Sequence, residues 1–122
     1  MIHVATKKAH ESKFRRARVG AVIAKGHRLL SSGCNRIGYS RLLPGRPYPE
    51  SIHAEQQAIL ALLSQRRLDA LVGATIYVSR VGRDGSQRLS KPCYICASLI
   101  EAVGIHKVVY TTNTGVEQYN VS

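Results

Sequence analysis

The sequence predicts an α/β domain of three layers, in which a mixed sheet of four to five strands carries helices on both faces. Two observations support this fold class. Short apolar segments with β-branched residues, typical of buried strands, alternate along the chain with stretches of helical periodicity. The strands expected at residues 75–78 and 107–111 flank a predicted helix, and a helical connection makes two strands parallel with a right-handed crossover.

The first part of the chain predicts a helix and a β-hairpin. Residues 2–13 are expected to form a short polar helix. Residues 18–24, RVGAVIA, have the composition of a buried strand, and residues 28–34 return as its partner. The turn between them contains Gly26, which can take a positive φ without steric cost.

A long loop is expected over residues 35–51, which contain three prolines and two glycines. A loop of this length in a compact domain is usually functional. Ser51 is the expected N-cap of a helix over residues 53–64. The core-facing stripe of that helix follows an i, i+4, i+7, i+8 pattern and consists of Ala54, Ala58, Ala61 and Leu62.

The second part of the chain predicts strand, helix and strand. Residues 75–78, TIYV, form a strand, and residues 80–91 a second long polar loop. Pro92 suits the first turn of the next helix, and Gly104 ends that helix. A buried strand follows at residues 107–111, after which the tail is either a short edge strand or a loose segment.

Length and composition are those of one folded domain spanning residues 1–122. Apolar residues make up 44% of the sequence, but no apolar run approaches the ~18 residues of a membrane span. We therefore expect no membrane partner and, by default, a cytoplasmic location. The formal net charge is +11, and 12 of the 18 basic residues are arginine. Such a charge favours a polyanionic partner or an anionic substrate, the alternative being a basic surface without a partner.

Three residues have the chemistry of a metal site: His53, Cys93 and Cys96. Zinc takes imidazole and thiolate ligands, and three protein ligands leave the fourth tetrahedral position open for water. The spacing of three places both cysteines on one face of a helix. A structural zinc clip is the alternative, and Cys34 would then be the fourth ligand, although a single cysteine at a strand end is more often a small buried hydrophobe.

Glu55 lies two residues after His53. This spacing allows its carboxylate to reach the open side of the metal without binding it. A carboxylate beside a metal-activated water can accept a proton and pass it on. Glu55 is therefore the candidate catalytic acid and base.

The combination of His53-Ala54-Glu55 with Pro92-Cys93-Tyr94-Ile95-Cys96 resembles the H-x-E…P-C-x-x-C signature of zinc nucleobase deaminases. The sequence is similar to the cytidine and deoxycytidylate deaminase superfamily over residues 17–111. The segment LIEAVGIHKVVYT looks most like the deoxycytidylate branch. The resemblance implies a cytidine-deaminase-like fold and a hydrolase that acts on the C–N bond of a cyclic amidine.

The resemblance also implies a mechanism. One zinc ion per chain, held by His53, Cys93 and Cys96, would carry water or hydroxide in its fourth position and lower the pKa of that water. Glu55 would take the proton, the hydroxide would attack C4 of cytosine, and Glu55 would protonate N3 and then the leaving ammonia. Asn35 matches a family asparagine that binds the sugar or the base, and the Ala54 backbone N–H would hold the base carbonyl.

The chain departs from the family pattern in both long loops. An additional segment separates the third strand from Pro92, and an acidic, cysteine-rich insertion before His53 is missing. Tyr39, Tyr48 and Tyr94 are candidates for stacking on bases. Basic residues dominate both loops, opposed only by Glu50 and Asp84. These candidate contacts to phosphate or nucleic acid are Arg36, Arg41, Arg46, Arg80, Arg83, Arg88 and Lys91.

The first substrate hypothesis is a deoxycytidine nucleotide such as dCMP, since the motif resemblance favours a mononucleotide enzyme. Single-stranded DNA or RNA, bound through the basic loops, is the second. An adenosine deaminase acting on RNA and a non-catalytic zinc-binding module follow. Self-association through a sheet edge or a helix face also stays open.

Overall fold

The computed structural model describes residues 1–14, 17–38 and 50–121. Within them the chain forms four helices and eight strands. The helices are α1 (Ile2–Ala9), α2 (Ala54–Ser64), α3 (Leu68–Leu71) and α4 (Tyr94–Ala102). The strands are β1 (Arg18–Lys25), β2 (Arg28–Cys34), β3 (Arg36–Gly38), β4 (Glu50–Ile52), β5 (Thr75–Val81), β6 (Gln87–Arg88), β7 (Lys107–Thr111) and β8 (Val116–Asn120).

The main sheet has the order β2-β1-β5-β7-β8, with the two-residue β6 paired to β5 as its sixth strand. β5 and β7 are parallel, and every other pairing in this sheet is antiparallel. The predicted fold class and the parallel pair are therefore confirmed. The tail forms the edge strand β8, one of its two predicted alternatives, and the sheet exceeds the predicted size only by β6.

One face of the sheet is covered by α1, which packs tightly against β1. Ala5 and Ala9 of this helix are fully buried. A Cβ at Gly20 would overlap the Ala5 carbonyl oxygen and the Ala9 nitrogen. The helix predicted over residues 2–13 ends earlier, at Ala9. It is not polar on all sides, because Ala5 and Ala9 are buried against the sheet.

The opposite face of the sheet carries the hydrophobic core. Ile76 and Val78 of β5 and Val108 of β7 contribute to one cluster with buried residues of α2 and α4. Ile59 and Leu62 of α2 belong to the same cluster. This layer fixes the starts of α2 and α4 relative to the sheet.

Three local features differ from the prediction. Ser51 lies in β4, and His53 is the N-cap of α2, because the chain stays extended through the pairing of β3 with β4. The short helix α3 was not predicted. β5 runs on to Val81, and β6 folds back against it, so the predicted loop over residues 80–91 is partly a hairpin. The centre of the loop predicted over residues 35–51 lies outside the described residues.

Among the described residues, every helix is too short or too polar to traverse a lipid bilayer.

Candidate active site

Two of the three predicted metal ligands occupy N-cap positions. His53 precedes α2 and Cys93 precedes α4, both with extended backbone angles. Ser, Thr, Asp or Asn usually fills this position and hydrogen-bonds the first turn of the helix. Neither His53 nor Cys93 makes such a bond. Their side chains are therefore available to a ligand.

The structure brings the three predicted ligands together. Their ligating atoms all lie within 4.8 Å of one another. His53 Nδ1 is 3.1 Å from Cys96 Sγ and 3.7 Å from Cys93 Sγ. A tetrahedral zinc ion with ordinary Zn–N and Zn–S bonds places nitrogen and sulfur ligands about 3.6 Å apart. The spacing and the imidazole–thiolate donor set therefore fit zinc.

Cys34 does not join this group. Its side chain is partly exposed and lines a separate depression together with Gly33 and Gln57. Within the described part of the chain, no fourth histidine, cysteine or carboxylate ligand accompanies His53, Cys93 and Cys96. The donor set is that of a site with an open position.

Glu55 is the acidic residue of the site. It lies in the first turn of α2 and is only 4% exposed. Burial raises the pKa of its carboxyl above the ordinary value. Its own backbone, the nearby His53 and a hydrogen bond with Cys96 oppose this rise. A carboxyl whose pKa is raised by burial is suited to hold and release a proton near neutral pH.

Cys96 is fully buried in the first turn of α4. Burial, and after it the charges of Glu55 and Cys93, raises the pKa of this thiol far above its ordinary value. Gln56 donates a hydrogen bond from Nε2 to Cys96 Sγ over 3.9 Å and lowers the pKa slightly. A divalent cation reverses the preference, because a coordinating thiol is deprotonated.

Two of the predicted metal ligands, His53 and Cys93, open together with Glu55 onto a cavity of about 290 Å³. This volume is at the lower end of the range for small-molecule pockets. Its lining includes residues from distant segments of the chain. They are Phe14, Ala17, Val19, Asn35, His53, Ala54, Glu55, Arg80, Leu89, Ser90, Lys91 and Cys93.

Asn35 and Ala54, the two predicted substrate contacts, both line this cavity. The buried Asn35 side chain accepts a hydrogen bond from Val19 N at 2.9 Å and donates one to Ala17 O at 2.6 Å. These bonds fix its orientation, and its remaining hydrogen-bonding capacity is open to a ligand. Ala54 is the first residue of α2, so its N–H has no acceptor within the helix.

The predicted basic contacts separate into three groups. Arg80 and Lys91 line the cavity. Arg36, Arg83 and Arg88 are exposed and do not line it; Arg36 borders the depression beside Cys34, and Arg88 pairs with Asp84 at 3.6 Å. Arg41 and Arg46 lie outside the described residues, as do Tyr39 and Tyr48. Tyr94 is 81% exposed and is not part of the lining.

The segment between β5 and α4, which forms one wall of the cavity, is held by a buried hydroxyl network. Ser90 Oγ donates to Val78 O at 2.7 Å and accepts from Thr111 N at 2.8 Å. Thr111 Oγ1 donates to Arg88 O at 2.7 Å and accepts from Arg80 N at 3.2 Å. Since these groups are mostly buried, the wall has a defined position relative to β5 and β7.

Sequence reasoning missed several residues of the cavity. Phe14 and Ala17 enter it from the segment before β1 and Val19 from the start of β1, whereas Leu89 and Ser90 enter it from the segment before α4. None of them has a chemical signature in the sequence. Only the pairing of β1 with β5 brings the two segments to the same end of the sheet.

The chain is similar in sequence to known proteins. Residues 1–112 match the family model for the cytidine and deoxycytidylate deaminase zinc-binding region. A deoxycytidylate deaminase of Mycobacterium phage D29 is 32% identical in an alignment 126 positions long, which covers 88% of each chain.

Crystal structures of low sequence identity share the fold. The cytidine deaminase from Burkholderia pseudomallei has a TM-score of 0.69 at 21% identity, covering 98% of this chain and 89% of its own. The dCMP deaminase from cyanophage S-TIM5, in complex with dCMP and dUMP, has a TM-score of 0.60 at 21% identity, covering 89% and 76%. The match of residues 1–112 to the family model and the 32% identity to the phage D29 enzyme identify this chain as a member of the cytidine and deoxycytidylate deaminase family.

Proposed function

We propose that this deaminase hydrolyses the exocyclic amine of cytosine in a deoxycytidine nucleotide such as dCMP, giving uracil and ammonia, with zinc as its cofactor. The observation that carries the proposal is the cluster of His53, Cys93 and the buried Cys96 at a cavity that the buried Glu55 also lines. The nucleotide substrate is supported by the relative in phage D29, a deoxycytidylate deaminase.

Zinc, when bound by His53, Cys93 and Cys96, supplies a Lewis acid that lowers the pKa of a water molecule towards neutrality. The chain itself supplies the proton transfers. Glu55 accepts a proton as water adds at C4 and delivers it to N3 of the cytosine. It then takes the proton of the new C4 hydroxyl and donates it to the amine, so that the C4–N bond breaks, ammonia leaves and C4 becomes the carbonyl of uracil. Burial raises the pKa of the Glu55 carboxyl, which favours its uptake of the proton in this sequence of transfers.

Two groups orient the base and the sugar in this proposal. The Ala54 N–H, without an acceptor in α2, donates to the carbonyl oxygen of cytosine. Asn35, held by Ala17 and Val19, contacts the sugar or the base with its remaining donor and acceptor capacity. Because the backbone of β1 fixes the Asn35 side chain, this contact needs little reorganisation on binding.

The test is the Glu55→Gln variant, which keeps the size of the side chain and removes its basicity. We expect the zinc content to stay the same and kcat for dCMP to fall by a factor of at least about 10²–10⁴, the usual contribution of general acid–base catalysis. Glu101→Gln, on the exposed face of α4, is the matched control and is expected to keep full activity. Unchanged turnover by Glu55→Gln would contradict the mechanism.

A second experiment identifies the substrate. The zinc-loaded protein is offered deoxycytidine, dCMP, single-stranded DNA and single-stranded RNA, with uracil formation as the readout. We expect dCMP to be converted with the highest kcat/KM. A higher kcat/KM for either polynucleotide would overturn the nucleotide assignment and leave the deaminase chemistry intact.

A further inference from the structure

We infer that Arg80 and Lys91 form the subsite that binds the 5′-phosphate of the substrate, and that the protein therefore discriminates a nucleoside monophosphate from the free nucleoside. This inference rests on the proposed function and adds the residues that set its substrate class. It depends on three features of the cavity: a buried guanidinium nitrogen of Arg80 that has no acceptor, an ammonium group of Lys91 that pairs with no carboxylate among the described residues, and the local charge balance.

The first feature is the position of Arg80 near the carboxyl end of β5. Side chains alternate between the faces of a strand. Ile76 and Val78 enter the hydrophobic core beneath α2 and α4, whereas the Ser79 hydroxyl meets Thr6 of α1 at 2.7 Å on the other face. Arg80 continues the series of Ile76 and Val78. It therefore lies on the side of the sheet that carries the metal ligands, and it lines the cavity.

One nitrogen of the Arg80 guanidinium is buried without a hydrogen-bond partner. Its Nε is buried and has no acceptor. A buried donor without an acceptor is unfavourable. Nε and a terminal nitrogen of arginine together form the fork that binds two oxygens of a phosphate. Phosphate oxygens would therefore supply the missing acceptor.

The second feature is the ammonium group of Lys91, at the end of the wall between β5 and α4. Lys91 is exposed and lines the cavity. Its Nζ lies 5.7 Å from the centre of the Tyr119 ring, within the range of a cation–π interaction. Within residues 1–14, 17–38 and 50–121, neither Lys91 nor Arg80 forms an ion pair with a carboxylate.

The third feature is the charge balance of the cavity. Glu55 is the only carboxylate among the described residues that line it. The two thiolates offset the charge of a bound zinc ion, so Arg80 and Lys91 leave an excess of positive charge. A phosphate monoester carries about −1.5 to −2 charges at neutral pH and compensates this excess. An uncharged nucleoside does not.

The test compares paired ligands with and without the phosphate. Binding of dUMP and of deoxyuridine to the zinc-loaded protein is measured by calorimetry, which needs no turnover. For Arg80→Gln we expect Kd for dUMP to rise about tenfold to a hundredfold, as for loss of a hydrogen bond to a charged group, with Kd for deoxyuridine unchanged. Lys91→Gln should show a smaller rise, since its ammonium group is exposed.

Two further measurements separate a phosphate contact from a structural role. Arg80→Lys keeps the charge without the fork and should recover part of the lost affinity. Arg28→Ala, an exposed cation at the start of β2 that does not line the cavity, is the charge-matched control and should leave both Kd values unchanged. In turnover, Arg80→Gln should raise KM for dCMP and leave kcat/KM for deoxycytidine as it is.

Three outcomes would overturn the inference. One is an equal loss of affinity for dUMP and deoxyuridine in Arg80→Gln. Another is an unchanged Kd for dUMP in both variants. The third is that a cytosine-containing tetranucleotide binds more tightly than dCMP and loses as much affinity as dUMP does in Arg80→Gln. That result would assign the subsite to a nucleic-acid backbone. Failure of the deaminase proposal would appear separately, as absence of uracil formation while the phosphate dependence of dUMP binding persists.

Discussion

The N-cap positions of α2 and α4 are occupied by His53 and Cys93, two predicted zinc ligands that contribute no capping bond. Replacing a capping side chain by one that does not cap costs roughly 0.5–2 kcal/mol of stability. The chain tolerates this cost at both helices, and the ligating atoms of both side chains lie within 4.8 Å of each other, as a shared cation site would require. A conflict between local stability and function is typical of active sites.

The conflict predicts the behaviour of Cys93→Ser. Serine is a favoured N-cap, so in the presence of a chelator the variant should be more stable than the wild type by about 0.5–1 kcal/mol in denaturant unfolding. Zinc affinity and deamination should both be lost, because a hydroxyl is a poor substitute for the thiolate ligand. Zinc content by elemental analysis provides the second measurement. Wild-type zinc content in the variant would remove Cys93 from the proposed ligand set.

At the scale of elements, two close contacts decide how helices meet the sheet. A Cβ at Gly20 would overlap the backbone of α1, and one at Gly33 would overlap Gln57 of α2. In both places the helix backbone approaches a strand so closely that only glycine fits. The approach of α2 to β2 contributes to the position of His53 at the end of the sheet.

Gly20→Ala should therefore be destabilising. The overlap is with backbone atoms of Ala5 and Ala9, which cannot rotate away, so α1 must shift. We expect a loss of about 1–3 kcal/mol in the free energy of unfolding, the usual range for overpacking. Gly115→Ala is the matched control, since a Cβ there meets nothing within 4 Å. Equal stability of the two variants would contradict the tight packing of α1.

The wall between β5 and α4 is the second feature at this scale. Its hydroxyl network centres on Thr111 Oγ1, which donates to Arg88 O and accepts from Arg80 N. Thr111→Val keeps the shape of the side chain and removes these bonds. Leaving such buried groups unsatisfied costs about 1–3 kcal/mol each.

For Thr111→Val we accordingly expect a lower free energy of unfolding and a higher KM for dCMP, because Arg80 and Lys91 lose part of their support. Chemical unfolding and steady-state kinetics are the two measurements. Thr114→Val, at an exposed position between β7 and β8, is the control. It should change the free energy of unfolding by no more than about 0.5 kcal/mol and leave KM for dCMP unchanged. An unchanged KM in Thr111→Val would mean that the network stabilises the fold without positioning the wall.

On the scale of the whole molecule, the proposed cation joins two helices that are distant in sequence. His53 precedes α2, whereas Cys93 and Cys96 belong to the start of α4, 40 or more residues later. Unfolding separates these ligands, so zinc binds the native state far better than the unfolded chain. A ligand with that preference raises the stability of the fold.

Removal of the metal should consequently lower the midpoint of thermal unfolding. A free zinc concentration of about 1,000 times Kd corresponds to about 4 kcal/mol, which amounts to a shift of many degrees for a domain of this size. Re-addition of zinc should restore both the midpoint and the activity. Magnesium is the control, since it prefers oxygen ligands and should restore neither.

The sequence was informative where a local pattern has one physical cause. The hairpin of β1 and β2 follows from two apolar segments around Gly26, whose φ of 61° confirms the expected turn. The parallel pairing of β5 and β7 follows from the helix between them. The grouping of His53, Cys93 and Cys96 follows from a spacing that places chemically matched ligands at two helix starts.

Other features had no local signal. The strand β3 pairs with β4 across residues 39–49, and this pairing rather than Ser51 determines where α2 begins. β6 and β8 join the sheet as short or exposed strands whose stability comes from their neighbours. Of the seven basic residues predicted to contact phosphate, charge alone could not indicate that Arg80 and Lys91 line the cavity while Arg36, Arg83 and Arg88 do not.

The amino-acid sequence by itself therefore determined the fold class, the parallel core pair and the residues with the chemistry of a zinc site, because each depends on periodicity or on the identity of side chains close in the chain. The tertiary structure decided which cations reach the cavity, how Asn35 is oriented and what holds the wall before α4. These depend on contacts between segments far apart in sequence, such as Ser90 with Thr111, and such contacts exist only once the sheet has assembled.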